Sequence, residues 1–306
     1  MKKQNKTILV TGGAGFIGSH LVDKLVELNY KVIIINKFSN KKKKHVNPKA
    51  ILYKINICDK EKVEQVFEKE KPDFVFHLAA QIDVQKAIKN PTQDIAVNIL
   101  GGLNILENCL KYKVEKIIFT SSAAVYGNYG KVPIEEESLK KPINPYGVNK
   151  LSFEKYLDYY HQVFQQKYIS LRFSNAYGPR QYKGGECGVI GLFIDSVLNN
   201  KDLFINGDGK QTRDFIYVSD LVDALVLAVK SNFVGKLNVS TNKEINLLDL
   251  LSVIEKKANK KIKLKFRKEV PGDIKRSCLS NKKAKKELGW KPKVSIEEGV
   301  GSVIGG

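Results

Sequence analysis

The chain has 306 residues, of which 42% are hydrophobic, and it carries a formal net charge of +20 at pH 7. This length suits one large α/β domain with a smaller lobe, and no run approaches the ~20 apolar residues that a membrane-spanning helix needs. The N-terminus has no apolar signal segment, so we expect a cytoplasmic protein. The 4 cysteines and 4 histidines show no metal-ligand spacing, so we expect no metal site.

The excess of positive charge has two interpretations. A basic surface can bind nucleic acid or an anionic membrane, or it can be the solvated surface of a lysine-rich protein. The basic runs of this chain lack the interleaved aromatic residues and arginines of nucleic-acid-binding segments. We therefore favour a solvated surface and expect neither nucleic acid nor membrane as a partner.

A glycine-rich stretch lies near the N-terminus, between a predicted strand and a predicted helix. Residues 7–10 read TILV, which is typical of a buried parallel strand, and residues 16–28 carry the broad apolar face of a helix. Between them, Gly12, Gly15 and Gly18 lie three residues apart. Glycines here allow a tight turn and let a pyrophosphate approach the N-terminus of the helix. Such a stretch can be a plain connector, but its position favours a dinucleotide-binding turn.

The second predicted strand, at residues 31–36, ends where NAD-binding folds usually carry an acidic residue for the ribose hydroxyls. This chain has Asn36 there, followed by Lys37. Asparagine accepts hydrogen bonds but does not repel a 2′-phosphate, so NADP stays open beside NAD, which we favour because no arginine follows. A third strand is predicted at residues 50–55, and Asp59 is predicted to cap the next helix.

Residues 72–81 form a predicted fourth strand that runs into the stretch HLAAQ. Small side chains at the carboxyl end of a strand let a ligand approach the backbone. We expect cofactor contacts from Leu78, Ala79 and Ala80. His77 is either a catalytic residue or, as we favour, a packed residue at the strand end. The following apolar helix contains Asn98, whose amide needs a partner in the cofactor or in a neighbouring strand.

The fifth predicted strand, at residues 115–120, completes an alternation of strands and helices that predicts a doubly wound parallel sheet. Ser121 and Ser122 follow it, and a proline-rich loop leads to Tyr146 and Lys150 at the start of a long helix. Four residues apart, the last two share one face of the helix. A nearby ammonium lowers the pKa of a phenol, and a serine hydroxyl can hold the reacting oxygen. The sequence therefore predicts a catalytic serine, tyrosine and lysine.

Beyond about residue 180 the pattern is less regular. Helices are predicted near 188–199, 219–231 and 246–258. We predict a dinucleotide-binding Rossmann-type domain at 1–180, to which some later segments return, and a mainly substrate-binding mixed α/β lobe at 181–306. Within this lobe, Arg213 is either a surface residue or, as we favour, an arginine whose planar guanidinium binds phosphate.

From the glycine-rich turn to the segment LGWKP at 288–292, the chain resembles the extended short-chain dehydrogenase/reductase family, and within it the UDP-glucose 4-epimerase-like nucleotide-sugar epimerases. The resemblance rests on TGGAGFIG, HLAAQ, RFSNAYGPR, QTRDFIYV and the Tyr146/Lys150 pair. It implies an NAD-dependent enzyme that inverts carbon 4 of a UDP-sugar through a 4-keto intermediate. It also implies a homodimer in which the helices near 92–111 and 146–166 pair.

The resemblance also implies the site residues, position by position. The implied catalytic residues are Ser122, Tyr146 and Lys150. The predicted cofactor contacts are Gly12, Gly15, Phe16, Ile17, Gly18, Asn36, Lys37, Asn56, Ile57, Leu78, Ala79, Ala80, Asn98, Tyr146 and Lys150. The predicted substrate contacts are Ser122, Ala123, Ala124, Tyr146, Asn175, Arg213 and Ser277. Ser277 aligns with a gatekeeper position beside the 2-substituent of the sugar, where a small residue leaves room for an N-acetyl group.

Three alternatives share the fold: sugar-nucleotide 4,6-dehydratases, UDP-glucuronate epimerases or decarboxylases, and non-enzymatic NAD sensors. Dehydratases and decarboxylases need a further proton-transferring group after the serine of the fifth strand, where this chain has Ala123 and Ala124. An NAD sensor would be expected to lose Tyr146 or Lys150, and this chain keeps both. We therefore predict a 4-epimerase.

Overall fold

The computed structural model describes residues 6–38, 45–181, 188–269 and 274–305. The strands in chain order are β1 (Thr7–Thr11), β2 (Lys31–Ile35), β3 (Ile51–Tyr53), β4 (Phe74–His77), β5 (Lys116–Ser122), β6 (Tyr168–Phe173), β7 (Asn175–Tyr177), β8 (Leu203–Asn206), β9 (Thr212–Arg213), β10 (Phe215–Tyr217), β11 (Gly235–Val239), β12 (Ile245–Asn246), β13 (Leu264–Arg267) and β14 (Arg276–Ser277). Seven of them form one parallel sheet in the order β11-β6-β5-β4-β1-β2-β3. The predicted doubly wound parallel sheet is confirmed.

Helices cover both faces of this sheet. In chain order they are α1 (Phe16–Glu27), α2 (Lys60–Glu70), α3 (Val84–Lys89), α4 (Pro91–Ile95), α5 (Gly101–Lys111), α6 (Pro145–Phe164), α7 (Val189–Leu198), α8 (Val218–Lys230), α9 (Leu247–Ala258), α10 (Lys282–Leu288) and α11 (Ile296–Gly305). One face packs against α1, α8 and α10, with Leu21 and Trp290 buried there. The other packs against α2, α5 and α6, with Leu106 and Phe153 buried. Burial on both faces explains why these strands read as continuous apolar runs rather than as alternating ones.

Most element boundaries lie within two residues of those predicted, and the exceptions matter for the site. β5 continues to Ser122, so the serines predicted to follow this strand belong to it. β3 and β4 are shorter than predicted, and β4 ends at His77, before the small residues that follow it. Asp59 caps α2 by accepting the backbone N–H of Lys62 at 3.3 Å, as predicted. Between α4 and α5 the helix widens into a π turn at Ala96–Leu100, which apolar periodicity does not reveal.

The residues after 180 are shared between the sheet domain and a second cluster. β11 joins the edge of the main sheet, and α8 packs on its face. The second cluster holds three small sheets, β10-β7, β12-β9-β14 and β13-β8. Helices α7, α9 and α11 pack there around Phe193, Leu250 and Ile254. The predicted helices near 188–199, 219–231 and 246–258 are confirmed as α7, α8 and α9, whereas the division at residue 180 stays a prediction.

Two negative findings apply to the described residues. No helix among them is long and apolar enough to cross a bilayer. Within the same ranges, no three His, Cys, Asp or Glu side chains come together in a way that could hold a metal ion.

Candidate active site

A cleft of about 880 Å³ lies along the carboxyl edge of the main sheet. Its wall is built from the segments that follow β1, β2, β4, β5 and β6, together with residues of α6 and the start of α7. Strand order reverses between β1 and β4, and ligands of open α/β sheets bind outside the strand ends at such a reversal. The cleft thus occupies the position that the fold itself favours for a ligand.

The glycine-rich turn forms the floor of this cleft. Gly12 has φ +73°, and a Cβ there would lie 2.8 Å from the backbone nitrogen of Ala79. A Cβ on Gly18 would lie 2.2 Å from the carbonyl oxygen of Gly12, so both positions require glycine. Helix α1 begins directly after Gly15, and no side chain caps its N-terminus. Its first backbone N–H groups are therefore available to an anion such as a pyrophosphate.

The end of β2 forms another part of the wall. Asn36 accepts the backbone N–H of Ala14 at 3.3 Å, and Lys37 beside it is exposed. Asn56 accepts the backbone N–H of Cys58 at 3.3 Å, which fixes the turn before α2. Among the described residues of the wall, the only carboxylate is that of Asp83. The predicted contacts Asn36, Lys37, Asn56 and Ile57 all line the cleft.

The three predicted catalytic residues come together at the opposite part of the wall. Ser122, at the end of β5, lies close enough to the Tyr146 phenol, in the first turn of α6, to lower the pKa of that phenol. Lys150, one turn further along α6, is buried and donates to the carbonyl oxygen of Thr120 at 2.8 Å. Its Nζ lies 5.7 Å from the centre of the Tyr146 ring. All three residues line the cleft.

Burial controls the protonation of this group. It raises the pKa of Tyr146 to about 12, although the neighbouring Ser122 side chain acts in the opposite direction. It lowers the pKa of Lys150 to about 7, against the raising effect of the Asp94 and Glu154 charges. In the chain by itself, loss of hydration is the largest effect on the phenol and favours its neutral form. The predicted lowering of the Tyr146 pKa by Lys150 stays a prediction. A ligand that brings positive charge to the phenol would lower its pKa again.

One buried hydroxyl in the wall is unsatisfied. Ser121 lines the cleft and is only 4% exposed. Its Oγ atom has no hydrogen-bond partner among the described residues. A buried polar group without a partner costs about 1–3 kcal/mol. Together with the glycine floor, this hydroxyl fits a large polar ligand such as a dinucleotide, which would supply the missing partner.

Five predicted site residues are not part of the wall: Asn98, Ala123, Ala124, Arg213 and Ser277. Asn98 instead bonds the backbone of Gln81, so its expected partner is the segment after β4. The two alanines form the turn after Ser122. The Arg213 guanidinium donates to the carbonyl oxygens of Thr212 and Ile274. Ser277, 9% exposed, lies beside Arg213 in the small β9-β14 pair. The roles predicted for these five residues stay predictions.

The remaining predicted contacts lie in the wall, and the structure adds others. The predicted contacts found there are Gly12, Gly15, Phe16, Ile17, Gly18, Leu78, Ala79, Ala80 and Asn175. Wall residues that the sequence did not single out include Gln81, Asp83, Lys86, Gln93, Thr120, Ser121, Ser174 and Gln181. Thr120, Ser121 and Ser174 could have been found from their position at strand ends. His77, by contrast, is 1% exposed and packed, as favoured.

Comparison with known proteins agrees with this geometry. The model of the NAD dependent epimerase/dehydratase family matches residues 8–241. A protein of Methanocaldococcus jannaschii described as a putative UDP-glucose 4-epimerase is 42% identical over 300 residues, or 97% of each chain. The structure of a UDP-glucose 4-epimerase from Thermotoga maritima, solved with UDP-glucose, has a TM-score of 0.95 and 40% identity, and the match covers 98% of this chain and 97% of that chain.

A third comparison is with a protein described by a different sugar. The structure of a UDP-N-acetylglucosamine 4-epimerase from Methanobrevibacter ruminantium, in complex with UDP-N-acetylmuramic acid, has a TM-score of 0.93 and 34% identity. The match covers 98% of this chain and 97% of that chain. The family model, the relative and both structures cover the glycine floor and the catalytic helix alike. The chain therefore belongs to the NAD dependent epimerase/dehydratase family, in its UDP-glucose 4-epimerase-like branch, with NAD as cofactor.

Proposed function

We propose that the chain is a nucleotide-sugar 4-epimerase that interconverts UDP-glucose and UDP-galactose, and that it also accepts the N-acetylated UDP-hexosamines. The observation that carries this proposal is the convergence of Ser122, Tyr146 and Lys150 on a cleft with a pyrophosphate-binding floor. The hydroxyl, phenol and ammonium suit proton transfer at a sugar hydroxyl, and the floor suits a dinucleotide.

When bound, NAD supplies reversible hydride transfer at carbon 4, and its cationic ring favours ionisation of a neighbouring phenol. Tyr146 then removes the proton from the 4-hydroxyl group and later returns it. Ser122 donates a hydrogen bond to the same oxygen, for which its place beside the phenol suits it. Lys150, anchored on the Thr120 carbonyl, supports the phenolate electrostatically. Inversion of carbon 4 would follow if the 4-keto sugar turned over in the cleft before Tyr146 returned the proton.

The family model covers dehydratases as well as epimerases, and the turn after Ser122 favours the epimerase. This turn consists of Ala123–Tyr126 and follows the catalytic serine directly. Elimination of water needs an acid or base close to carbons 5 and 6 of the sugar, and Ala123 and Ala124 carry no group that transfers a proton.

We also infer that the protein is a homodimer built on α4, α5 and α6. Helices α4 and α6, and the π turn between α4 and α5, carry several exposed apolar side chains. Such a surface usually serves a partner. These side chains are Ile95, Leu100, Val148, Tyr156, Tyr159, Val163 and Phe164. Sedimentation should give twice the mass of one chain, and a Leu100→Glu variant should shift the molecule towards the monomer. A Phe266→Glu variant, altered at an equally exposed position in the second cluster, serves as the control.

The test of the activity is turnover of UDP-glucose, UDP-N-acetylglucosamine and UDP-glucuronate by purified protein, with products identified by NMR. Tyr146→Phe keeps the ring but removes the group that exchanges the proton, so kcat should fall by about 10²–10⁴-fold. The fold, followed by circular dichroism, should not change. Wild-type protein that converts no UDP-sugar, or a Tyr146→Phe variant with near-normal turnover, would refute the proposal.

A further inference from the structure

A buried carboxylate outside the three catalytic residues lies at the junction of α4 and α6. Asp94 is 1% exposed and accepts hydrogen bonds from three neutral amides. Asn98 donates to Oδ1 at 3.0 Å and Gln81 to Oδ1 at 2.8 Å, whereas Asn149 donates to Oδ2 at 2.6 Å. None of the ion pairs among the described residues includes Asp94. We call these four residues the Asp94 amide cluster.

The cluster connects the wall of the cleft to the catalytic helix. Gln81 lines the cleft, and its backbone exchanges two hydrogen bonds with Asn98, both at 2.9 Å. Asn149 is the residue before Lys150 on α6. The π turn lies between Asp94 and α5, and it places Asn98 where it can bond Asp94 and Gln81 together. One carboxylate thus links the segment after β4 to the helix that carries Tyr146 and Lys150.

The two carboxylates whose charges raise the pKa of Lys150, Glu154 and Asp94, differ in their bonding partners. On its own helix, Glu154 is neutralised by Arg172 through bonds of 2.9 and 2.7 Å. From β4, His77 packs nearby, and burial keeps it neutral by lowering its pKa to about 3. From β5, only the Thr120 carbonyl bonds Lys150. The three amides that bond Asp94 bring no positive charge of their own, so they hold this carboxylate in place without neutralising it.

We propose, resting on the proposed function, that Asp94 is a positioning residue of the epimerase: through Asn149 it sets the place of the catalytic helix, and its unpaired charge keeps Lys150 protonated. The electrostatics agree in sign, because the Asp94 charge raises the pKa of Lys150 against the effect of burial. It also raises the pKa of Tyr146. Loss of the charge should therefore move the ionisation of both groups to lower pH.

The effect of the Asp94 charge on Lys150 is tested by an NMR titration that does not depend on enzyme turnover. In protein labelled with ¹³C at lysine Cε, the Lys150 signal is the one missing from a Lys150→Met variant. In Asp94→Asn its titration midpoint should fall by about one unit. Asp94→Ser, which leaves space for water to bond the amides, replaces Asp94→Asn if that variant does not fold. Asp158→Asn removes another α6 carboxylate, one already paired with Lys236, and should leave the midpoint where it is. An unchanged midpoint in both Asp94 variants would overturn the electrostatic claim.

The positioning claim is tested by kinetics. Asn149→Ser keeps the charge and removes the bond to α6, so it should lower kcat about 10–100-fold, with little change in KM and no shift of the pH profile. Asp94→Asn should also move the alkaline limb of the kcat profile to lower pH, and Asp94→Glu should restore it. Full activity in Asn149→Ser would overturn the claim. Because the NMR titration needs no substrate, it tests the effect of Asp94 on Lys150 even in an inactive protein. An inactive wild-type protein would therefore contradict the proposed function without deciding the electrostatic claim.

Discussion

His77 should make the stability of the fold depend on pH in a window that can be calculated. The side chain lies at the end of β4, 1% exposed, with Nδ1 2.8 Å from the Thr11 hydroxyl oxygen and the ring stacked on Phe119. Burial, assisted by the charge of Lys150, lowers its pKa from 6.5 to about 3. The unfolded chain therefore binds a proton at pH values where the folded chain does not.

The sign and the size follow from linkage. The free energy of unfolding has its full value above the unfolded pKa of 6.5 and falls as the pH falls towards the folded value of about 3. The slope approaches about 1.4 kcal/mol per pH unit, so this one histidine should destabilise the fold by about 2 kcal/mol between about pH 7 and pH 5. His77→Gln cannot titrate, so that contribution should vanish while those of all other groups remain.

Urea unfolding provides the assay, because the only tryptophan of the chain, Trp290, is buried against the main sheet and its fluorescence reports unfolding there. The quantity to compare is the change in unfolding free energy between the two pH values, for wild type and for His77→Gln. Thr11→Val is the matched control, since it removes the same hydrogen bond but keeps the histidine, and it should retain the wild-type dependence on pH. Equal pH dependence in wild type and His77→Gln would refute the reasoning.

Two further predictions concern ligand selectivity. Asn36→Asp should weaken NADP binding relative to NAD by at least about tenfold, because the new carboxylate repels a 2′-phosphate, and Lys37→Ala should weaken NADP alone; calorimetric binding constants for both nucleotides check this. If NADP does not bind the wild type at all, Asn36 and Lys37 do not admit a 2′-phosphate, and the prediction is wrong. Ser277→Tyr should abolish turnover of UDP-N-acetylglucosamine and retain most of that of UDP-glucose, and an equal loss of both would show that Ser277 is not a gatekeeper.

Local patterns were sufficient to predict much of the fold and the floor of the site. Parallel strands buried on both faces have continuous apolar sequences, and the glycine turn lies between such a strand and an apolar helix. Gly12 and Gly18 are required by contacts within a few residues or with the adjacent strand end. Ser122 could be predicted because it lies at the end of a strand, and Tyr146 and Lys150 because they lie at the start of a helix. Both kinds of element boundary can be recognised in the sequence.

The rest depends on contacts between distant segments. The Asp94 amide cluster brings together residues 81, 94, 98 and 149, and the sequence of each segment gives no sign of the others. Asn98 could be predicted to need a partner, but not which one. Arg213 and Ser277 lie in a two-strand pairing so short that no periodicity marks it. Burial likewise determines the pKa of Tyr146, and sequence spacing cannot show how deeply a phenol is desolvated.

A buried hydrogen-bond network connects α6, which carries Tyr146 and Lys150, to the turn that follows Ser122. Arg172 of β6 donates to both carboxylate oxygens of Glu154 on α6, and at the same time to the hydroxyl of Tyr126 at 2.7 Å. Tyr126 ends the turn that begins at Ser122, and it donates in turn to Asn238 of β11. The network therefore links the turn after Ser122 to α6 through side chains of β6 and β11. Because a misplacement of the reacting groups by about 1 Å can slow a reaction about 100-fold, a buried ion pair that adds little net stability can still contribute to the proposed proton transfer.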